Sequence, residues 1–330
     1  MIERARDLVD SAVVKLSEYQ SGKHKAIKTG VDHLDQIALG GLRPGDVLTI
    51  GARPGVGKSY LLQQIESGMM STKLNEQSDN FVLLKCNYEM PVIKLLTRKL
   101  AYETKKSYKS ILLSPPKPDE VEEYKRICDE ERDDRKFYVN YPLNPQEFES
   151  AVSKFIEEHS DKEAVIISID HIGLTKNSGS GGKKQAIDDT IEAINRMKMK
   201  YTNAIFLILS QLNREIEMRT DAKDSGPLLS DIMNADSIGQ ISDIVLILNM
   251  PMRYKMEKYM FLPGVYDANK VKKPNYTYNN LESVMVNPNT KFTNLRTTDD
   301  SGRNILYYHY MKIRDGFDSS EMSDIYFTYL

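Results

Sequence analysis

The chain has 330 residues, 40% of them apolar and 28% charged, enough for one large domain or two ordinary ones and too apolar for a disordered protein. Its 45 Lys plus Arg against 47 Asp plus Glu leave a formal charge of −2, so no uniform basic field marks a nucleic-acid or membrane-surface binder, and any polyanion site has to be local. Two cysteines, Cys86 and Cys128, are too few for a disulfide framework or a four-ligand zinc site, and the longest apolar runs fall far short of the ~20 residues of a membrane span; the expected location is the cytoplasm, with no membrane partner.

The opening residues carry charges and no apolar stretch, so neither signal nor transit peptide is expected. From Ile2 to Tyr19, Leu8, Val9, Ala12, Val13 and Leu16 recur at helical spacing, an amphipathic helix that needs a surface to cover. Residues 21–28 read as a short basic linker, and Gly40 to Gly45 as a turn cluster. Strands are then expected at Val47 to Ile50, Phe81 to Cys86, Lys136 to Asn140, Val165 to Ile169, Ile205 to Leu209 and Ile244 to Asn249. Helices fall between them, near 58–71, 91–105, 119–131, 145–159 and 186–201. Strands that are apolar throughout and joined by helices predict an α/β fold, a mostly parallel twisted sheet covered on both faces. Lys176 to Lys184 is rich in Gly and Ser and reads as a mobile loop. Residues 250–303 are an unassigned excursion, with candidate strands at Ser283 to Val286 and Asn304 to Tyr310.

Directly after the first strand comes Ala52-Arg53-Pro54-Gly55-Val56-Gly57-Lys58-Ser59, and then a helix opening at Tyr60. This is the phosphate-binding loop pattern with alanine at its first glycine. Glycines let backbone N–H groups turn inward around an anion, and the helix N-terminus adds its positive end. Lys58 is expected on the β- and γ-phosphates of ATP and Ser59 on Mg²⁺. A second apolar strand ends at Asp170, a carboxylate placed to hold the same Mg²⁺ and its waters. Glu89 follows the strand Phe81 to Cys86; at the same sheet edge it is positioned to deprotonate the attacking water.

Taken together, these segments resemble the RecA-type motor domain of hexameric replicative DNA helicases of the DnaB family, over most of residues 29–250 and again near 305–318. The resemblance rests on Thr29 to Asp35, on Gly40 to Asp46, on the Ala52-Arg53-Pro54 form of the phosphate loop, and on Glu89-Met90-Pro91 nine residues ahead of Arg98. It continues through Ile169 to Leu174, Ser210-Gln211-Leu212-Asn213-Arg214, Gly226 to Asp243 and Met311 to Gly316. It implies a RecA-like P-loop NTPase core with an N-terminal helix and a C-terminal β-hairpin. It assigns residues 52–60 and Arg98 to nucleotide binding, Glu89 to general-base catalysis and Gln211 to a sensor role. Lys312 and Arg314 become cations reaching the neighbouring subunit's ATP. On a strand these two, spaced by two, share a face.

The sequence departs from the family at Met233-Asn234-Ala235-Asp236, where a cationic DNA contact is missing. Backbone N–H groups of Asn234, Ala235 and Asp236 still offer phosphate contacts. Lys176, Lys183, Lys184, Arg214, Arg219 and Lys223 are the cationic candidates. The family's N-terminal helical domain is not seen; residues 1–28 are expected as a subunit-docking helix with linker and 29–330 as the motor domain, a form suggesting a phage or plasmid version and therefore a host cytoplasm. The expected function is an ATP- and Mg²⁺-dependent helicase translocating on single-stranded DNA as a homo-oligomeric, hexameric ring, with a primase or loader as partner. The alternatives are a RecA-like recombinase, a clock-type ATPase, or a loader or scaffold that binds ATP structurally.

Overall fold

The computed structural model describes residues 4–21, 25–177, 182–219, 226–254, 259–261, 277–278, 281–284, 293–295, 304–314 and 325–329. The helices are α1 (Ala5–Gln20), α2 (Asp32–Ile37), α3 (Lys58–Met69), α4 (Val92–Glu103), α5 (Tyr108–Leu113), α6 (Val121–Glu131), α7 (Pro145–Glu158), α8 (Gly182–Lys200) and α9 (Ala235–Ile241). The strands are β1 (Val47–Ala52), β2 (Phe81–Asn87), β3 (Lys136–Val139), β4 (Ala164–Asp170), β5 (Ala204–Gln211), β6 (Ile244–Asn249), β7 (Tyr259–Phe261), β8 (Thr277–Tyr278), β9 (Leu281–Val284), β10 (Thr293–Leu295), β11 (Ile305–Ile313) and β12 (Ile325–Tyr329).

The main sheet runs β3-β2-β4-β5-β1-β6-β11-β12-β9-β8. The strands from β3 to β6 are mutually parallel. β11 joins β6 antiparallel, and β12 and β9 continue that sense. The mostly parallel sheet expected from the apolar strand runs is therefore present, with an antiparallel extension built from the chain's last third. β11 and β12 form the expected C-terminal hairpin.

Every residue of β1, β4 and β6 is buried, the pattern of strands covered on both faces. Alternation distributes them between two cores. Leu48 and Ile50 of β1 join Leu61, Leu62, Ile65 and Met69 of α3, whereas Val47 joins Phe148 and Val152 of α7 and Ile187 and Ile191 of α8. α7 shows how local sequence fixes a start: Asn144 Oδ1 accepts from Glu147 N–H at 2.9 Å, Glu147 returns the bond to Asn144 N–H at 3.0 Å, and Pro145 occupies the first turn.

Some elements differ from expectation. α8 begins at Gly182, so Lys183 and Lys184 lie in a helical first turn and not in a loop. Gly182 has φ +76°, a conformation only glycine adopts freely, and this lets a Gly-rich segment open a helix. The short α2, α5 and α9 were not expected. In α1, Val9, Val13, Val14 and Leu16 are exposed, so these four side chains are left mostly uncovered by the described residues. Most of 250–303 lies outside the described residues; β9 overlaps the candidate strand Ser283 to Val286 at Ser283 and Val284, and β11 covers most of the one at Asn304 to Tyr310.

Candidate nucleotide-binding site

Parallel strands bring their carboxyl ends to one edge, where ligands of open α/β sheets bind. Here Ala52 of β1 is in register with Gln211 of β5, and Asn87 of β2 with Asp170 of β4. Tyr88 N–H donates to Asp170 C=O at 2.8 Å, which sets the Glu89 turn level with that carboxylate. The phosphate loop, Glu89, Asp170 and Gln211 thus share one edge, although they come from four separate stretches of sequence.

Within the loop, Gly55 and Gly57 take φ of +77° and +105°, conformations that a side chain would strain. Lys58 opens α3 and is buried; among the described residues it forms no ion pair, so its charge remains available to a phosphate. Val56 is buried in the α3 core and Tyr60 is exposed. Arg53 turns away from the nucleotide side. Its Nε donates to Glu217 Oε1 at 2.6 Å and its Nη1 to Leu212 C=O at 2.8 Å, tying the loop to the segment beyond Gln211. A cation missed in the sequence, Arg253, lies on the loop tip: Nη1 donates to Gly55 C=O at 3.4 Å, and a Cβ at Gly55 would meet Nη2 at 2.6 Å.

Burial pushes the Asp170 carboxyl up to about 6, with the nearby Ser59 hydroxyl and Lys58 opposing and Glu89 and Glu66 adding repulsion. Asp170 Oδ1 is buried and has no protein donor. A hydroxyl beside an unsatisfied carboxylate oxygen is the hard-oxygen set that Mg²⁺ prefers while retaining most of its water. Among the described residues no three His, Cys, Asp or Glu gather to hold a metal unaided, so Ser59 and Asp170 would share the ion with phosphate oxygens. Glu89 is exposed at the same edge.

Gln211 donates from Nε2 to Nε2 of His171 at 3.1 Å. Burial, reinforced by Lys58 and Lys183, holds His171 down to about 4, so the ring is neutral and can accept. His171 follows the strand-ending acid directly, and that adjacency was the available signal for it. Past Gln211, Leu212 bridges Ile232, Asn213 N–H donates to Asp231 C=O at 2.7 Å, and Met233 N–H donates to Gln211 C=O at 3.0 Å. The nucleotide edge is therefore joined by backbone to the segment that carries Asn234, Ala235 and Asp236.

The remaining candidates are scattered. Lys176, Lys183, Lys184 and Arg214 are exposed. Arg219 pairs with Asp231 and donates to Gly226 C=O at 3.1 Å, which neutralises it. Asn234 donates to Asp188 Oδ1 at 2.7 Å, and Asp236 is exposed. Lys223 lies outside the described residues. Arg98 lines a groove with Lys94, Lys106 and Tyr108 and not the cavity lined by Ser59. Lys312 donates to Gly239 C=O, and Arg314 donates to Asp243 Oδ1 at 3.0 Å and to Gln240 C=O at 2.6 Å. Both cations sit at the end of α9 in their own chain.

A parallel sheet with a phosphate loop, an acid-ended second strand and a glutamine-ended third defines a RecA-like P-loop ATPase core. Residues 26–280 match the family model described as DnaB-like helicase C terminal domain, and the chain belongs to that family. It is 28% identical over 257 residues to the replicative DNA helicase DnaB of Helicobacter pylori strain 26695, covering 76% of this chain and 50% of that protein. With the Geobacillus stearothermophilus DnaB it shares 23% over 293 residues, 88% of this chain and 61% of the relative. The chain spans about half the length of the curated relatives it matches. Among solved structures, the ATPase domain of G40P aligns with a TM-score of 0.66 at 18% identity, covering 94% of this chain and 92% of that one. A DnaB-like replicative helicase, described with its interactions with primase, aligns with a TM-score of 0.64 at 17% identity, covering 93% and 62%. These two likenesses concern the fold.

Proposed function

We propose that the chain is the ATP-hydrolysing motor of a ring-forming replicative DNA helicase that moves along single-stranded DNA and separates the duplex ahead of it. The observation that carries this reading is the common sheet edge: Lys58, Ser59, Asp170, Glu89 and Gln211 stand together at the ends of adjacent parallel strands. Lys58 and the loop's N–H groups bind the β- and γ-phosphates. Ser59 and Asp170 hold Mg²⁺, which when bound offsets phosphate charge. Glu89, exposed beside Asp170, takes the proton of the attacking water.

Gln211 senses the γ-phosphate. Its backbone bond to Met233 and the Leu212–Ile232 bridge supply a rigid route to the DNA-facing segment at 234–236, with Lys176, Lys183, Lys184 and Arg214 as exposed cations and Asn234 donating to Lys184 C=O at 3.4 Å. Arg314, with Lys312 beside it, reaches the neighbour's ATP after exchanging its contacts at Asp243 and Gln240 for the phosphate. The exposed Val9, Val13, Val14 and Leu16 of α1 dock on the next subunit, where Val92 and Ile93 of α4 and Leu112 and Leu113 of α5 are exposed apolar side chains. A ring concentrates modest cations from each copy around one channel, which reconciles DNA binding with a net charge of −2. Primase or a loader is the proposed protein partner.

The test is ATP hydrolysis with and without single-stranded DNA, run beside forked-duplex unwinding and a solution mass with and without nucleotide. DNA-stimulated hydrolysis with unwinding by a closed oligomer is expected. A helical filament exchanging strands would replace the helicase with a recombinase, and tight ATP binding without turnover would leave a scaffold.

A further inference from the structure

The phosphate loop carries one cation that faces away from the phosphate side. The Arg53 guanidinium reaches across to the segment beyond Gln211, with Nε 2.6 Å from Glu217 Oε1 and Nη1 2.8 Å from Leu212 C=O. Its side chain is 10% exposed and that of Glu217 40%, so water and salt screen the pair only in part. Pro54 follows directly and restricts the backbone of Arg53 to extended conformations. A shift of the loop around a phosphate is therefore passed to the guanidinium and is not absorbed by the backbone at residue 53.

The receiving segment is braced. Glu217 lies in a 3-10 turn, Arg214–Met218, whose Ile216 is fully buried. Two residues beyond Glu217, Arg219 pairs with Asp231, and Asp231 C=O accepts from Asn213 N–H at 2.7 Å. Leu212 and Ile232 pack where β1 has no side chain: a Cβ on Gly51 would lie 3.2 Å from Leu212 Cδ2 and 3.3 Å from Ile232 Cγ1. Residues 212–219 and 231–233 thus move as one unit, with the phosphate loop on one side and Asn234 to Asp236 next along the chain. Anchoring alone is already provided by the backbone, since Leu212 N–H donates to Ala52 C=O at 3.2 Å. The Arg53–Glu217 pair adds a second attachment further out, at the turn itself.

We propose that Arg53 is a positioning residue that couples nucleotide occupancy to DNA grip, with Glu217 as its receiver. Filling of the phosphate loop moves the guanidinium, and the braced unit carries that displacement to the DNA-facing segment. The inference rests on the motor reading above and adds to the Gln211 route a second one, which starts from the loop itself. Because the coupling is a free energy shared by two sites, DNA tightens nucleotide binding by the same factor as nucleotide tightens DNA binding.

The experiment measures the affinity of the full chain for a fluorescein-labelled thymidine oligonucleotide by anisotropy, in Mg²⁺, with and without the non-hydrolysable ATP analogue AMP-PNP. The parent is expected to bind the oligonucleotide about 5- to 150-fold more tightly with the analogue than without. E217A, which leaves Arg53 only its bond to Leu212 C=O, should lower that ratio by about 2- to 30-fold while leaving the nucleotide-free DNA affinity unchanged. E217Q keeps an oxygen for the Arg53 Nε–H and should restore most of the ratio. R53A should lower the ratio as E217A does, and the double variant no further, because both changes remove the same pair; should R53A not fold, the two Glu217 variants decide alone. A parental ratio in E217A, or a loss of DNA affinity that is equal with and without the analogue, overturns the proposal and leaves the pair a structural tie. A parent whose DNA affinity ignores the analogue would overturn the motor reading along with it, whereas a coupled parent matched by E217A sinks only the present inference.

Discussion

At the scale of single residues, the two carboxylates of the site differ by environment. Asp170 is buried and raised to about 6, whereas Glu89 stands exposed on the turn after β2. The first suits a metal-holding role and the second a group that must meet water and move a proton. E89Q keeps the size and loses the carboxylate proposed as the base. It should bind ATP as the parent does while hydrolysis falls by roughly 10²–10⁴, measured as nucleotide affinity beside steady-state turnover; undiminished turnover would remove Glu89 from the mechanism. Gly68 makes a purely structural prediction. A Cβ there would lie 2.0 Å from Thr29 C=O, because α3 packs its backbone against the lead-in segment. G68A should therefore cost about 2 kcal/mol or more by overpacking, seen as a lower denaturant midpoint. Glu89, Asp170 and Lys58 were legible in the sequence because motif spacing encodes them. The outward turn of Arg53 and the Arg253 contact were not, since both depend on partners, Glu217 and Gly55, about 160 to 200 residues away in sequence.

At the scale of elements, strands were easiest to read: β1, β2, β4, β5 and β6 are apolar runs bounded by turns, and burial on both faces leaves little room for register error. α2, α5 and α9, of 6, 6 and 7 residues, are too short to display a helical period. α9 is fixed by its neighbours: Asn234 and Ser237 both donate to Asp188 of α8 at 2.7 Å, and Lys312 and Arg314 engage its far end. Asp243 is a hub there, accepting from Val47 N–H at 2.8 Å while pairing with Lys198 and with Arg314. The Arg314 side chain is 42% exposed, so its pair adds at most about 1 kcal/mol to stability. A finger acting in trans is worth about 10³–10⁵ in rate. R314A should accordingly lose little Tm and most of the DNA-stimulated ATPase of the assembled form. A variant that hydrolyses normally while still assembled would return Arg314 to a structural tie of α9.

At the scale of the whole molecule, the parallel core could be read from strand and helix alternation and β11 from its own strand pattern, but the antiparallel place of β11 beside β6 could not, because pairing partners far apart in sequence leave no motif. His33 of α2 packs edge-on against Tyr308, with ring centroids 4.8 Å apart, and hydrogen-bonds to Tyr310; His309 is buried in the same strand. Burial pushes both rings down to about 3, and His171 to about 4. The unfolded chain protonates these rings near 6.5, whereas the fold keeps them neutral. Their contribution is thus fully present above pH 6.5 and is lost as pH falls toward the folded values, by about 1.4 kcal/mol per pH unit for each ring. Asp46 and Asp170, both raised to about 6 by burial, act in the opposite sense, adding stability as pH falls from about 6 toward 4. Between pH 7 and 6 the histidines act almost alone, so Tm should begin to drop there and fall less steeply below 6 than the histidines alone would dictate. Chemical denaturation at half-unit pH steps reads the slope directly, and H309Q should remove one proton's share of it even if that variant is less stable at every pH. A flat profile from pH 7.5 to 5 would mean that these rings are not sealed, and that the packing of α2 on β11 is looser than the burial of His33 requires.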